Sequence, residues 1–184
     1  MHKPPYRRED GHWLIELRLA SPRQLFNTID PSPFHEKDLD DAAERYIVGA
    51  VENFAEDVPL QLVIHLPDEH RTDENRNQLG SALRNFFGWR AEETRRDLVR
   101  LLRDGRLSLA IGISFLVLCT LTRQLVLHYT DGMATRLLDE CLLIIGWVAL
   151  WRPIQTFLYD WWPIRRRLRI LRRVARLAAD LQLR

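Results

Sequence analysis

Residues 107–122 carry no charged side chain, and that run limits the fold more than any other feature of the chain. Apolar character resumes through Leu125, Val126 and Leu127, giving the roughly 20 residues a helix needs to cross a hydrocarbon core of about 30 Å. The run has no polar face to turn toward water, which separates it from the amphipathic helix of a soluble protein. A second apolar segment starts near Leu137 and reaches about Trp162, with an uncharged centre over residues 141–151. Tyr129-Thr130-Asp131-Gly132-Met133 reads as the turn between them. The expectation is a two-helix transmembrane hairpin over residues 105–163.

Composition alone conceals this organisation. A hydrophobic fraction of 46% and a net charge of +2 over 184 residues suit an ordinary soluble domain. The charge, however, is concentrated over residues 67–106 and 164–184. Arg90, Arg95, Arg96, Arg100, Arg103 and Arg106 precede the hairpin, and Arg165, Arg166, Arg167, Arg169, Arg172 and Arg173 follow it. The turn between the spans offers Arg123 and Arg136. Arginine marks the cytoplasmic flank of a span, so both termini are expected in the cytoplasm. The segment before Trp13 lacks the apolar run of a cleavable leader. Cys119 and Cys141 lie inside the apolar helices and read as reduced packing residues.

Ahead of the hairpin, Trp13, Ile15, Leu17 and Leu19 alternate with Leu14, Glu16 and Arg18, the pattern of a half-buried strand. After Asp30-Pro31-Ser32-Pro33 a helix is expected with Ser32 or Asp38 as its cap. Its apolar face is Leu39, Ala43, Tyr46, Ile47, Ala50 and Phe54. Leu60, Leu62, Ile64 and Leu66 then alternate with Gln61, Val63 and His65 as a second strand. Two strands alone are marginal, so their edges and second face need cover from the next helix, another copy or a partner. From about Asn75 to Asp104 the chain reads as a long helix bearing Leu79, Leu83, Phe86 and Phe87, with Gly105 placed to break or bend it. The fold class is α+β: a small strand-helix-strand cytoplasmic domain over residues 1–104, whose long helix leads into the hairpin. Residues 164–184 complete it as a basic amphipathic helix able to rest on anionic lipid or to pack back onto the N-terminal domain.

The candidate contact site is the cytoplasmic end of the second span. Arg152 and Pro153 place a cation beside a residue with no backbone donor, and Tyr159, Trp161 and Trp162 have the composition of an interfacial aromatic belt. With Asp160 they form a candidate contact for the membrane interface or a partner. The competing reading has Arg152 extending to the headgroups. Ser108 with Gly112, Ala110 with Ser114, and Gly146 with Ala149 are small residues at a spacing that lets helices approach. Asp139 and Glu140 suit the N-terminal end of the second span or, with Arg136 or Arg123, a proton or cation site. His65-Leu66-Pro67-Asp68-Glu69-His70 collects metal-ligating types but matches no zinc spacing, and no phosphate loop, dinucleotide fingerprint or nucleophile elbow occurs. The basic helix beside lipid is a weaker footprint for nucleic acid.

The run from Arg152-Pro153-Ile154 through Phe157-Leu158-Tyr159-Asp160-Trp161-Trp162-Pro163, together with residues 13–66, resembles small, uncharacterised bacterial inner-membrane proteins. The resemblance implies a bacterial inner-membrane setting and brings no activity, substrate, cofactor or catalytic residue with it. The chain is therefore expected to be a non-enzymatic assembly, anchoring or regulatory subunit, partnered by membrane lipids and by further copies or a larger membrane complex. A subunit of an oligomeric transporter or channel is the alternative, and a membrane-bound enzyme the third.

Overall fold

The computed structural model describes residues 6–26, 38–129 and 133–184, without the side chains of residues 126–136, 138 and 139. The described parts of Met1–Thr94 and Arg167–Arg184 form one compact unit, and Arg95–Arg166 a second.

The first unit is built on a four-stranded sheet, ordered β1 (Arg8–Glu9), β2 (His12–Arg18), β3 (Leu60–His65) and β4 (Gln182–Leu183). β1 and β2 form a hairpin that the alternation pattern did not anticipate. Its turn is Asp10-Gly11, with φ of 47° and 83°. That left-handed pair is what a two-residue turn requires, and Asp-Gly is a favoured sequence for it. β2 and β3 are parallel, in register from Trp13 opposite Leu60 to Arg18 opposite His65. The expected strand-helix-strand crossover is present, with α1 (Asp41–Glu52) in the connection. Asp40 caps α1, accepting bonds from the Ala42 and Ala43 amides at 2.9 and 3.3 Å. The cap therefore falls two residues beyond Asp38; Ser32 lies outside the described residues.

β4 supplies the neighbour that β3 would otherwise lack, pairing in parallel with Val63 opposite Gln182. Buried side chains project from both faces of β2 and β3: Leu14 beside Ile15, and Val63 beside Leu62 and Ile64. Such two-faced burial is the mark of a sheet covered by helices on both sides. The cover comes from within the chain. α1 contributes Ile47, Ala50 and Val51; α2 (Asp73–Tyr129) contributes Leu79, Leu83, Phe86 and Phe87; α5 (Trp161–Ala179) contributes Leu168, Leu171, Val174 and Ala178. Each large aliphatic side chain so buried is worth about 1.5–3 kcal/mol. Of the two placements open to the basic helix, resting on lipid or packed back onto the N-terminal domain, Arg167–Arg184 take the second: their apolar face is committed to the first unit, and their arginine side is left for a surface.

Polar groups tie these layers together. The Tyr46 hydroxyl donates to the Glu16 carbonyl at 3.0 Å, and the His65 imidazole pairs with the Glu16 carboxylate at 2.9 Å. Arg90 of α2 reaches Glu44 of α1 and also Glu93, each at 3.3 Å. Partial burial disfavours the Arg90 charge, but the two carboxylates outweigh it and raise its pKa.

In the second unit α2 continues without interruption through Gly105. The return path is α3 (Met133–Val148), α4 (Trp151–Gln155), a π-helical turn over Thr156–Asp160 and the start of α5.

Candidate functional site

Two helical stretches are long and apolar enough to cross a membrane, one within Asp73–Leu125 and one within Glu140–Ala179, and only 17% of each apolar window is buried. That low burial distinguishes them from core helices. From Gly105 to Leu125 the rise is about 30 Å, a full hydrocarbon thickness. Leu107, Ile111, Val117, Leu118, Leu121 and Leu125 are exposed on α2, and Ile144, Val148, Trp151, Leu158 and Tyr159 on the return path. Single exposed apolar residues are ordinary; a contiguous set this large marks a surface made for something other than water.

The inner surface of the hairpin is closed by glycines. A Cβ built on Gly105 would lie 2.9 Å from the Thr156 methyl, one on Gly112 2.9 Å from the Ala149 carbonyl oxygen, and one on Gly146 2.8 Å from Leu116 Cδ1. Gly112, Gly146 and Ala149, identified above as small residues able to admit another helix, are thus used inside the unit. Gly105 does not break α2; the missing side chain admits Thr156. Ala110 and Ser114 are exposed. Cys119 is buried against this contact, and Cys141 is exposed.

Pro153 accounts for the irregular return path. Its nitrogen has no hydrogen to donate to the Ala149 carbonyl, and its ring crowds that oxygen. The helix breaks there, at Ala149 and Leu150, where the Leu150 amide turns to the Trp147 carbonyl at 3.0 Å, before α4 resumes. The carbonyl so released faces Gly112. One turn beyond Pro153 the buried Thr156 donates to the Arg152 carbonyl at 3.2 Å, and the same hydroxyl lies 3.4 Å from the Asp160 carboxylate. The π-helical turn spans Thr156 to Asp160.

The expected contact residues therefore divide. Pro153 is buried and shapes the helix, while Arg152, Tyr159 and Trp162 are exposed. Asp160 is half-buried and held by Thr156. The Trp161 indole donates to the Phe157 carbonyl at 2.7 Å, and Arg165 lies 5.5 Å above its ring. Arg152 and Asp160 are connected through Thr156 and the Arg152 backbone; the guanidinium forms no ion pair with Asp160. Thr156 was missed in the sequence because a lone threonine in an apolar helix is unremarkable; its position three residues after proline was the only signal.

Among the following arginines, Arg165, Arg166, Arg167 and Arg172 are exposed. Arg169 pairs with Glu56, and Arg173 donates to the Ala55 carbonyl at 2.8 Å and to the Val58 carbonyl. Partial burial lowers the Arg173 pKa, with Arg176 adding to the effect. Toward the other end of the hairpin Glu140 is exposed, while the side chains of Asp139 and Arg136 lie outside the described residues. His65 and His70 belong to separate pairs, with Glu16 and Glu69, and do not converge. No family model, curated protein or solved structure matches the chain.

Proposed function

We propose that the chain is a multi-pass protein of the bacterial inner membrane that serves as a non-enzymatic assembly, anchoring or regulatory subunit of a larger complex or homo-oligomer. The observation that carries this reading is the hairpin itself, closed by three glycine contacts on its inside and apolar on its outside. Lipid is the solvent that such a surface fits, and helical backbone is the form that satisfies its own polar groups there.

Orientation follows from arginine. Both flanks of the hairpin are arginine-rich and the intervening turn is not, which assigns the α+β unit to the cytoplasmic side. Arg165, Arg166, Arg167 and Arg172 then meet anionic headgroups. Arg152, Tyr159, Asp160, Trp161 and Trp162 are the proposed contact for a headgroup or a neighbouring helix. An assembly role is favoured over catalysis because the prominent polar groups of the first unit, Glu16, His65, Glu44 and Arg90, are engaged in joining its layers.

Purification in mild detergent followed by native mass spectrometry tests the proposal, since it reports stable partners and copy number together. Stable association with other chains or copies is expected. A strictly monomeric particle with substrate turnover overturns the reading, and labelling, from the periplasmic side, of single cysteines introduced into the first unit overturns the orientation.

A further inference from the structure

The first unit has a polar cavity of about 220 Å³, open to solvent, between the start of α2 and the end of α5, lined by the exposed Arg76, Asn77 and Arg84 and the half-buried Ser81 on one side and by Ala178 and Ala179 on the other. At about 30 Å³ per molecule of liquid water, it has room for several waters or one small ligand. The α2 residues recur at the spacing that puts them on one helical face. Gly80 lies among them, and a Cβ there would be 2.9 Å from the Ala178 carbonyl oxygen. The absence of that side chain lets the end of α5 come close enough to wall the cavity.

Arg76 and Arg84 on this face are donors only, and Asn77 and Ser81 can each donate. Asn77, Ser81 and Arg84 make no side-chain hydrogen bond or ion pair with any other described residue, and Arg76 bonds Asp73 at 2.9 Å through one nitrogen of its fork. Two guanidiniums, an amide and a hydroxyl around one small volume match a tetrahedral oxyanion, because each guanidinium offers several N–H groups in a planar fork. The opposite wall is different in kind. Ala178 and Ala179 close α5, and carbonyls of a helix's last turn lack helical donors. They can accept a bond from a ligand that retains a proton or carries a hydroxyl. Inorganic phosphate retains a proton at neutral pH, and a monoester such as glycerol 3-phosphate, although mostly dianionic at its phosphoryl group, carries alcohol hydroxyls; sulfate offers neither.

We propose that this cavity is a binding site for a phosphate monoester, with Arg84 and Arg76 holding the phosphoryl oxygens and the end of α5 accepting from the ligand's hydroxyl. The site is independent of the membrane-contact reading above. The full chain in detergent micelles, at constant ionic strength, is titrated by calorimetry with inorganic phosphate, glycerol 3-phosphate and sulfate. Saturable binding of the two phosphates is expected, with sulfate at least tenfold weaker. Arg84→Gln should weaken phosphate binding at least tenfold and Ser81→Asp should abolish it. Arg167→Gln, an exposed arginine outside the cavity, should leave it unchanged. Phosphatidic acid doped into the micelles distinguishes the source of the ester: competition with glycerol 3-phosphate that phosphatidylcholine does not reproduce and that Arg84→Gln removes assigns a lipid headgroup, whereas soluble-ester binding untouched by the lipid assigns a soluble ligand. Melting curves control for folding. Non-saturable binding, or wild-type affinity in correctly folded Arg84→Gln, overturns the assignment.

Discussion

The α-carbon of Gly112 faces the carbonyl of Ala149, the one carbonyl of the return helix whose usual donor is missing because residue 153 is proline. Each irregularity compensates the other. The carbonyl is covered by a close helix, and the glycine allows that helix to approach to Cα–H···O range.

A graded response to added methyl groups follows. In Gly112→Ala the new Cβ meets a backbone oxygen that cannot move without shifting α3 or α4. In Gly146→Ala it meets the end of a leucine side chain, which can rotate away. Overpacking in a well-filled interior costs about 1–3 kcal/mol, so Gly112→Ala should fall in that range and Gly146→Ala below it. Equilibrium unfolding in mixed micelles measures both. Equal losses would show that the approach at Gly112 is less tight than the backbone contact implies.

The arginines of α5 separate into structural and surface groups. Arg173 donates to two carbonyls of the α1–β3 connection, and bonds to a charged donor contribute about 1.5–3 kcal/mol; partial exposure reduces that toward about 1–2 kcal/mol. Arg173→Gln should lower the melting temperature of the first unit by several degrees, whereas Arg172→Gln should change it within error. In vesicle sedimentation the order reverses: Arg172→Gln weakens attachment of a hairpin-deleted chain to anionic lipid, and Arg173→Gln does so only by unfolding it.

The two apolar helices were legible because each signal is long, about twenty residues with little charge; the expected turn between them falls on residues 130–132, outside the described residues. The strands of β2 and β3 were legible through alternation. β1 and β4 were not, since two residues cannot display a period, although Asp10-Gly11 did mark the first turn. The placement of α5 was hidden for a different reason. Leu168, Leu171 and Val174 give the same amphipathic stripe whether the helix rests on lipid or on a sheet, and the deciding contacts, with β3 and α2, lie about a hundred residues away in the chain. At the candidate site Pro153 was read as a residue with no backbone donor, but the carbonyl it frees, the approach of Gly112 to that carbonyl and the link through Thr156 appear only when the helices pack.

Acid should loosen the first unit at the sheet edge. Glu9 of β1 accepts a hydrogen bond from Arg184 at 2.6 Å, and that bond, reinforced by the guanidinium charge, lowers the Glu9 pKa. A carboxyl whose folded pKa is depressed stabilises the fold above its unfolded pKa, about 4.3 for glutamate, and that stabilisation is lost as pH falls through the lower folded value. Arg184 itself stays charged throughout this range. Melting temperature against pH should therefore decline less steeply below pH 4.5 in Glu9→Gln and Arg184→Gln than in the parent. An unchanged acid limb in both variants would mean that the pair forms equally in the unfolded chain.

The sharpest test concerns Arg152, exposed on the apolar return path; on the membrane reading proposed above, a charge there is tolerated only if its head reaches polar surroundings. Arg152→Leu keeps apolar bulk and removes the charge, so membrane insertion should be preserved. If the guanidinium holds a headgroup or a neighbouring helix, co-purification with partners should fall severalfold. Asp160→Asn should produce a similar fall only if that carboxylate shares the contact, and Thr156→Val, which removes the hydroxyl near it, should then follow Asp160→Asn rather than Arg152→Leu. Trp161→Phe deletes the bond to the Phe157 carbonyl, about 1 kcal/mol, and should lower hairpin stability by about that amount, with any fall in co-purification smaller than that of Arg152→Leu because the aromatic ring is kept. Normal co-purification of Arg152→Leu, with insertion intact, would reduce Arg152 to a side chain that simply extends to the headgroups and move the partner contact elsewhere on the hairpin.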